Sequence, residues 1–122
     1  MTKPGLLIVD DDLISIRMLH KIFEDDYIVS FAQDEKTALK LVADNKPDVL
    51  LLDVELEETT GYELLIEMQQ KHMVEDSKVF IVTAHSDGQL DLSSISSQVK
   101  AILYKPVNIG MLETVNHFVK QA

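Results

Sequence analysis

Hydrophobic positions along this chain fall into two patterns that alternate from one end to the other. Short unbroken apolar runs, Leu6-Leu7-Ile8-Val9, Val49-Leu50-Leu51-Leu52 and Val79-Phe80-Ile81-Val82, read as strands buried on both faces, the habit of parallel sheets covered by helices. Between them the apolar residues recur at helical spacing: Ile16, Leu19, Ile22 and Phe23 predict a helix from Leu13 to Phe23. Tyr27 to Phe31 is β-branched and aromatic and predicts a second strand. Asp34 can then cap a helix that runs to Asn45 and stops before Pro47. Thr60-Gly61-Tyr62-Glu63 has the spacing of a capping box ahead of Leu64, Leu65 and Met68, so a third helix starts there.

The fourth strand, Lys78 to Val82, ends at Thr83-Ala84. Beyond it, from Asp87 to Val99, only Leu92, Ile95 and Val99 keep helical spacing, while Gly88 and the serines at 93, 94, 96 and 97 weaken intrinsic helicity. A short helix is expected. Ala101 to Tyr104 makes a fifth strand that ends at Lys105-Pro106, and Asn108 can cap a last helix carrying Leu112, Val115 and Val119. Strands and helices alternating at these lengths require crossover connections. The expected fold is therefore α/β: a flavodoxin-like, doubly wound, five-stranded parallel sheet of order 2-1-3-4-5 with five helices.

Composition narrows this further. At 122 residues the chain is expected to form one domain, residues 1–122. Its apolar runs stay far below the roughly 18 residues of a membrane span, so no membrane partner is expected. With no cysteine and no signal-peptide pattern, neither secretion nor disulfide scaffolding is supported, and the cytoplasm is the expected location. The net charge of −10 would repel a phosphate backbone, which argues against direct nucleic-acid binding by this domain.

The candidate chemistry lies where strands end, because open α/β sheets bind ligands at that rim. Asp10 and Asp11 end strand one, Asp53 ends strand three, Thr83 strand four and Lys105 strand five. Each alone has an ordinary reading as a cap, a turn residue or a snorkelling lysine. In the order 2-1-3-4-5, however, strands one and three are neighbours, so three carboxylates share one crevice. Such acids repel and normally imply a cation, and oxygen-only ligands favour Mg²⁺. Asp12 is read as the first-turn acid of helix one rather than a further ligand. His20, His72 and His117 fall on predicted helices, too far apart in sequence for a metal cluster, and are read as surface residues. His85, two residues beyond Thr83, is expected near the crevice.

Over its whole length the chain resembles the receiver domain of two-component response regulators. Leu7-Ile8-Val9-Asp10-Asp11, Leu51-Leu52-Asp53, Gly61 eight residues after Asp53, Val82-Thr83-Ala84 and Lys105-Pro106 are similar to that family's motifs, in its order and spacing. The resemblance implies that Asp53 accepts a phosphoryl group from a phosphohistidine on a sensor histidine kinase or a histidine phosphotransfer protein. It implies that Asp10, Asp11, Asp53 and the main-chain carbonyl of Glu55 hold Mg²⁺, that Thr83 binds the phosphoryl oxygen, and that Lys105 pairs with the phosphate. It further implies self-catalysed phosphorylation and dephosphorylation, and a switch that controls a downstream effector protein or a C-terminal output domain. A cis bond at Pro106 belongs to the same pattern.

Some positions depart from that pattern. Glu57 stands where a proline often follows the acceptor, Ile102 where many members carry a switching Tyr or Phe, and Ser94 to Ala101 replaces a usual apolar-small-glycine run. Two other readings use the same residues. A haloacid-dehalogenase-like phosphatase also employs a strand-end Asp and Mg²⁺, but it wants Asp at position 55, which is Glu here, and room for a cap domain. A degenerate receiver serving only as a docking module would not need Asp10, Asp11, Asp53, Thr83 and Lys105 all intact.

Overall fold

The computed structural model describes residues 3–56, 59–84 and 98–120. In chain order the elements are β1 (Gly5–Val9), α1 (Leu13–Phe23), β2 (Ile28–Ala32), α2 (Glu35–Asn45), β3 (Val49–Asp53), α3 (Gly61–Gln70), β4 (Lys78–Thr83), β5 (Val99–Tyr104) and α4 (Ile109–Val119). All strands pair in parallel in the order β2-β1-β3-β4-β5. This is the expected doubly wound sheet. Four helices lie within the described residues; most of the segment expected as a fifth, from Asp87 onward, lies outside them, as does His85. Val99, assigned to that helix from spacing, instead begins β5 opposite Val79, where the sheet register shifts by one residue.

The buried strands split their side chains between two cores, as a sheet covered on both faces must. Leu7, Val9, Leu50, Leu52, Val79 and Ile81 pack with Ala38 and Val42 of α2 and Leu64, Leu65 and Met68 of α3. Leu6, Ile8, Val49, Leu51, Phe80 and Val82 pack with Ile16, Leu19 and Phe23 of α1 and Met111 and Val115 of α4. Every residue of β3 is buried, which is why its sequence shows no polar alternation.

Helix starts are fixed by the local chemistry of their first residues. Asp12 caps α1, accepting from Ile14 N at 3.0 Å and from Ser15 Oγ at 3.1 Å, so it lies just before the first turn rather than in it. Asp34 caps α2 through Thr37 N at 2.7 Å, and α2 ends at Lys46, whose left-handed φ of 45° turns the chain into Pro47. Thr60 caps α3 by accepting from Glu63 N at 3.1 Å. The Glu63 carboxylate does not complete the expected box, because it accepts from Thr59 Oγ1 at 2.8 Å. Asn108 precedes α4 but does not cap it with its side chain; its Nδ2 donates to Pro106 O at 2.8 Å.

Candidate functional site

The register of the central strands brings the acids together. Val9 lies opposite Leu52, so the residues that follow, Asp10 and Asp53, emerge side by side at the carboxyl rim. Asp10 and Asp53 are buried and Asp11 is exposed. One carboxylate oxygen from each of the three lies within 4.8 Å of the others. Among the described residues no other group of three His, Cys, Asp or Glu side chains is gathered this way.

The two buried carboxylates are held alike. Asp10 Oδ1 accepts from Asp12 N at 2.9 Å, and Asp53 Oδ1 accepts from Glu55 N at 3.0 Å. Their remaining oxygens both accept from Lys105 Nζ, each at 3.0 Å. Lys105 follows β5, and its own amide donates to Thr83 O at 2.7 Å, just ahead of a cis Lys105-Pro106 bond. Thr83 ends β4, buried, in register with Tyr104, while Asp53 pairs with Val82. The five residues expected at the site from their positions in sequence thus end on one rim. Glu55 lies just past β3 and bridges to Thr60, which carries the chain toward α3.

Charge at the site is unbalanced. Formally three carboxylates face one ammonium, and burial removes the water that would soften their repulsion. Burial, opposed by the Asp12 amide and reinforced by the charge of Asp53, raises the Asp10 carboxyl to a pKa of about 6. For Lys105, burial works against the charged form, but its hydrogen bonds to Asp53 and Asp10 and their charges outweigh that and raise its pKa. An all-oxygen donor set with a surplus of negative charge and one exposed member fits a hard divalent cation such as Mg²⁺.

Gly61 contributes by what it lacks. Its N–H donates to Val54 O at 2.9 Å, and a Cβ there would lie 2.3 Å from the Asp53 carbonyl oxygen. Any other residue would push α3 off the strand that carries Asp53. Spacing singles out Gly61 in the sequence, but the contact that requires it spans two elements and has no local signature. The capping role of Asp12 was legible in principle, since an acid directly ahead of the first apolar helical residue, here Leu13, commonly starts a helix. Ile102 is half-buried and packs against the α2–α3 core. Glu57 lies outside the described residues.

Comparison with known proteins agrees with this geometry. The family described as the response regulator receiver domain matches residues 6–116. The transcriptional regulatory protein YdfI of Bacillus subtilis is 31% identical over 103 residues, covering 82% of this chain and 47% of its own length. The chain therefore spans about half of that relative. Sporulation initiation phosphotransferase F of Bacillus subtilis is 32% identical over 112 residues, covering 89% of this chain and 87% of its own. Among solved structures, the response regulator TrrA from Thermotoga maritima, in complex with Mg(2+)-BeF, superposes with a TM-score of 0.80 at 28% identity, covering 97% of this chain and all of that one. No helix among the described residues is long and apolar enough to cross a membrane. With three acids and a lysine converging on the rim of a 2-1-3-4-5 sheet, and with this match in sequence, the chain belongs to the response regulator receiver domain family.

Proposed function

We propose that residues 1–122 form one receiver domain in which Asp53 is the phosphoacceptor. The observation that carries this reading is the shared grip of Lys105 on Asp10 and Asp53, within a carboxylate cluster completed by Asp11. Asp53 Oδ2 attacks the phosphorus of a phosphohistidine on a sensor histidine kinase or histidine phosphotransfer protein. The new O–P bond forms as the P–N bond breaks, and the released imidazole takes up a proton. Little covalent help is needed, but charge on the moving group must be countered and the reacting atoms held in line.

This chain's residues divide that work. Asp10, Asp11, Asp53 and the main-chain carbonyl of Glu55 would hold Mg²⁺, which when bound would offset charge on the phosphoryl oxygens. Lys105 is already poised between the two buried acids and transfers one of its hydrogen bonds to the phosphoryl group. Thr83, buried at the end of β4, offers its hydroxyl to a phosphoryl oxygen. The acyl phosphate is reactive, so the domain also loses the group to water without a separate substrate. The domain acts in the cytoplasm, controls an effector protein or a C-terminal output domain, and does not itself bind nucleic acid, in keeping with its charge of −10.

The test is intact mass after incubation with acetyl phosphate and Mg²⁺. Wild type should gain one phosphoryl group and Asp53→Asn none, with unchanged circular dichroism. A phosphorylated Asn variant would refute the acceptor assignment. Steady release of phosphate without an adduct would favour the phosphatase reading, and an unreactive wild type a docking module.

A further inference from the structure

Tyr62 carries a hydroxyl that the fold leaves without a bond. Its oxygen is shut off from solvent and has no hydrogen-bond partner, and it is the one side-chain atom of which this holds among the described residues. Burying a hydroxyl unpaired costs free energy, and protein interiors pair nearly all such groups. Tyr27, a phenol buried on the opposite face of the sheet, shows the usual outcome by donating to Asn116 Oδ1 at 2.7 Å.

The place of Tyr62 links two parts of the site. Gly61, one residue earlier, is seated against the Asp53 carbonyl without room for a Cβ, so the start of α3 follows any shift of the backbone carrying Asp53. The Tyr62 ring packs on the same core as Ile102 of β5. Burial, and then the neighbouring Tyr104, raise the pKa of its phenol. Tyr104, two residues after Ile102 and therefore on the same face of β5, is 45% exposed. It ends β5 opposite Thr83 and directly precedes Lys105, which holds both Asp10 and Asp53.

We propose that Tyr62 and Tyr104 form a hydroxyl-to-hydroxyl latch, open in the unphosphorylated protein and closed when Asp53 carries a phosphoryl group. The inference rests on Asp53 being the acceptor. A phosphoryl group on Asp53 competes for Lys105, and any resettling of Lys105 moves Tyr104, to which it is joined. The same event acts on α3 through Gly61. Closure gives the Tyr62 hydroxyl its missing partner, so the phosphorylated form recovers a cost that the resting form carries. An event at the acid cluster is thereby felt on the outer end of β5, in a chain whose residue 102 is an aliphatic Ile. A ligand shifts such an equilibrium only by its difference in affinity for the two forms, which makes the latch measurable from the ligand side.

The experiment uses the full chain with Mg²⁺ and beryllofluoride, measuring melting without beryllofluoride and affinity for it by NMR titration. Tyr62→Phe should melt higher, because the unpaired hydroxyl is gone, and should bind beryllofluoride more weakly by on the order of five-fold, the worth of one hydrogen bond. Tyr104→Phe should melt like wild type and show the same loss, and the double variant should lose no more than either single one. A Tyr62→Phe protein with unaltered melting or unaltered affinity would overturn the latch, and so would additive losses in the double variant. Failure of wild type to take up beryllofluoride would remove the acceptor reading, and the latch with it, and is distinguished by involving no tyrosine variant.

Discussion

The phenol of Tyr27 lies between α1 and α4, edge-on to Phe23 at 5.7 Å between ring centroids and hydrogen-bonded to Asn116. Burial, with the adjacent Asp26, raises its pKa from 10.0 to about 12. The folded protein therefore holds the proton more tightly than the unfolded chain does. Its contribution to stability is complete below pH 10 and is lost as pH rises from there to about 12. Urea unfolding between these values should show stability falling with pH, and Tyr27→Phe should reduce that slope while lowering stability at pH 7 by about 1 kcal/mol for the lost hydrogen bond. An unchanged slope would mean that Tyr27 ionises equally easily in both states. At this scale the sequence said least about pairing. Asp10, Asp11, Asp53, Thr83 and Lys105 stand out by position, yet that one ammonium would serve both buried acids depends on side-chain reach across three strands. The same holds for Asn116, whose Nδ2 donates to Asp26 at 3.1 Å from 90 residues away.

Elements were more legible than pairings, because a strand buried on both faces must be apolar throughout and an amphipathic helix must repeat its apolar residues every turn. β1, β3 and β4 were readable for that reason. β5 was less so, since its exposed and half-buried positions blur the run, and Val99 fits either period. Nothing in the sequence announces that Gln98 fastens the start of β5 to α3 and to the connection between α3 and β4. There it donates to Val74 O and, at 2.9 Å, to Ser77 O, and accepts from Gln69 Nε2 at 3.0 Å. The tightest demand between elements is that of α3 on β3. Gly61→Ala should destabilise the domain by about 1–3 kcal/mol, as overpacking does, with partial displacement of α3. It should also slow phosphorylation by acetyl phosphate, because the added methyl presses on the carbonyl of Asp53 itself. A variant as stable and as reactive as wild type would show that α3 can step aside freely.

For the molecule as a whole, Mg²⁺ held at the acid cluster, as proposed, would couple metal binding to folding. The unfolded chain lacks the site, so Mg²⁺ at a hundredfold excess over its dissociation constant should add about 2.7 kcal/mol of stability. Asp11→Ala should remove most of that gain, while leaving the metal-free fold largely intact because Asp11 is exposed. Thermal unfolding with and without millimolar Mg²⁺ checks both, and equal midpoints for wild type would count against the metal site.

The bond from Lys105 to Asp10 joins residues 95 positions apart. A chain leaving the ribosome amino end first presents Asp10, Asp11 and Asp53 long before the lysine that partly neutralises them. Translation proceeds at about 5–20 residues per second, so for several seconds the nascent chain holds its acids without their counter-charge. Competence for the proposed phosphoryl chemistry would thus wait for the synthesis of β5 and Lys105, after all three acids of the cluster have been made.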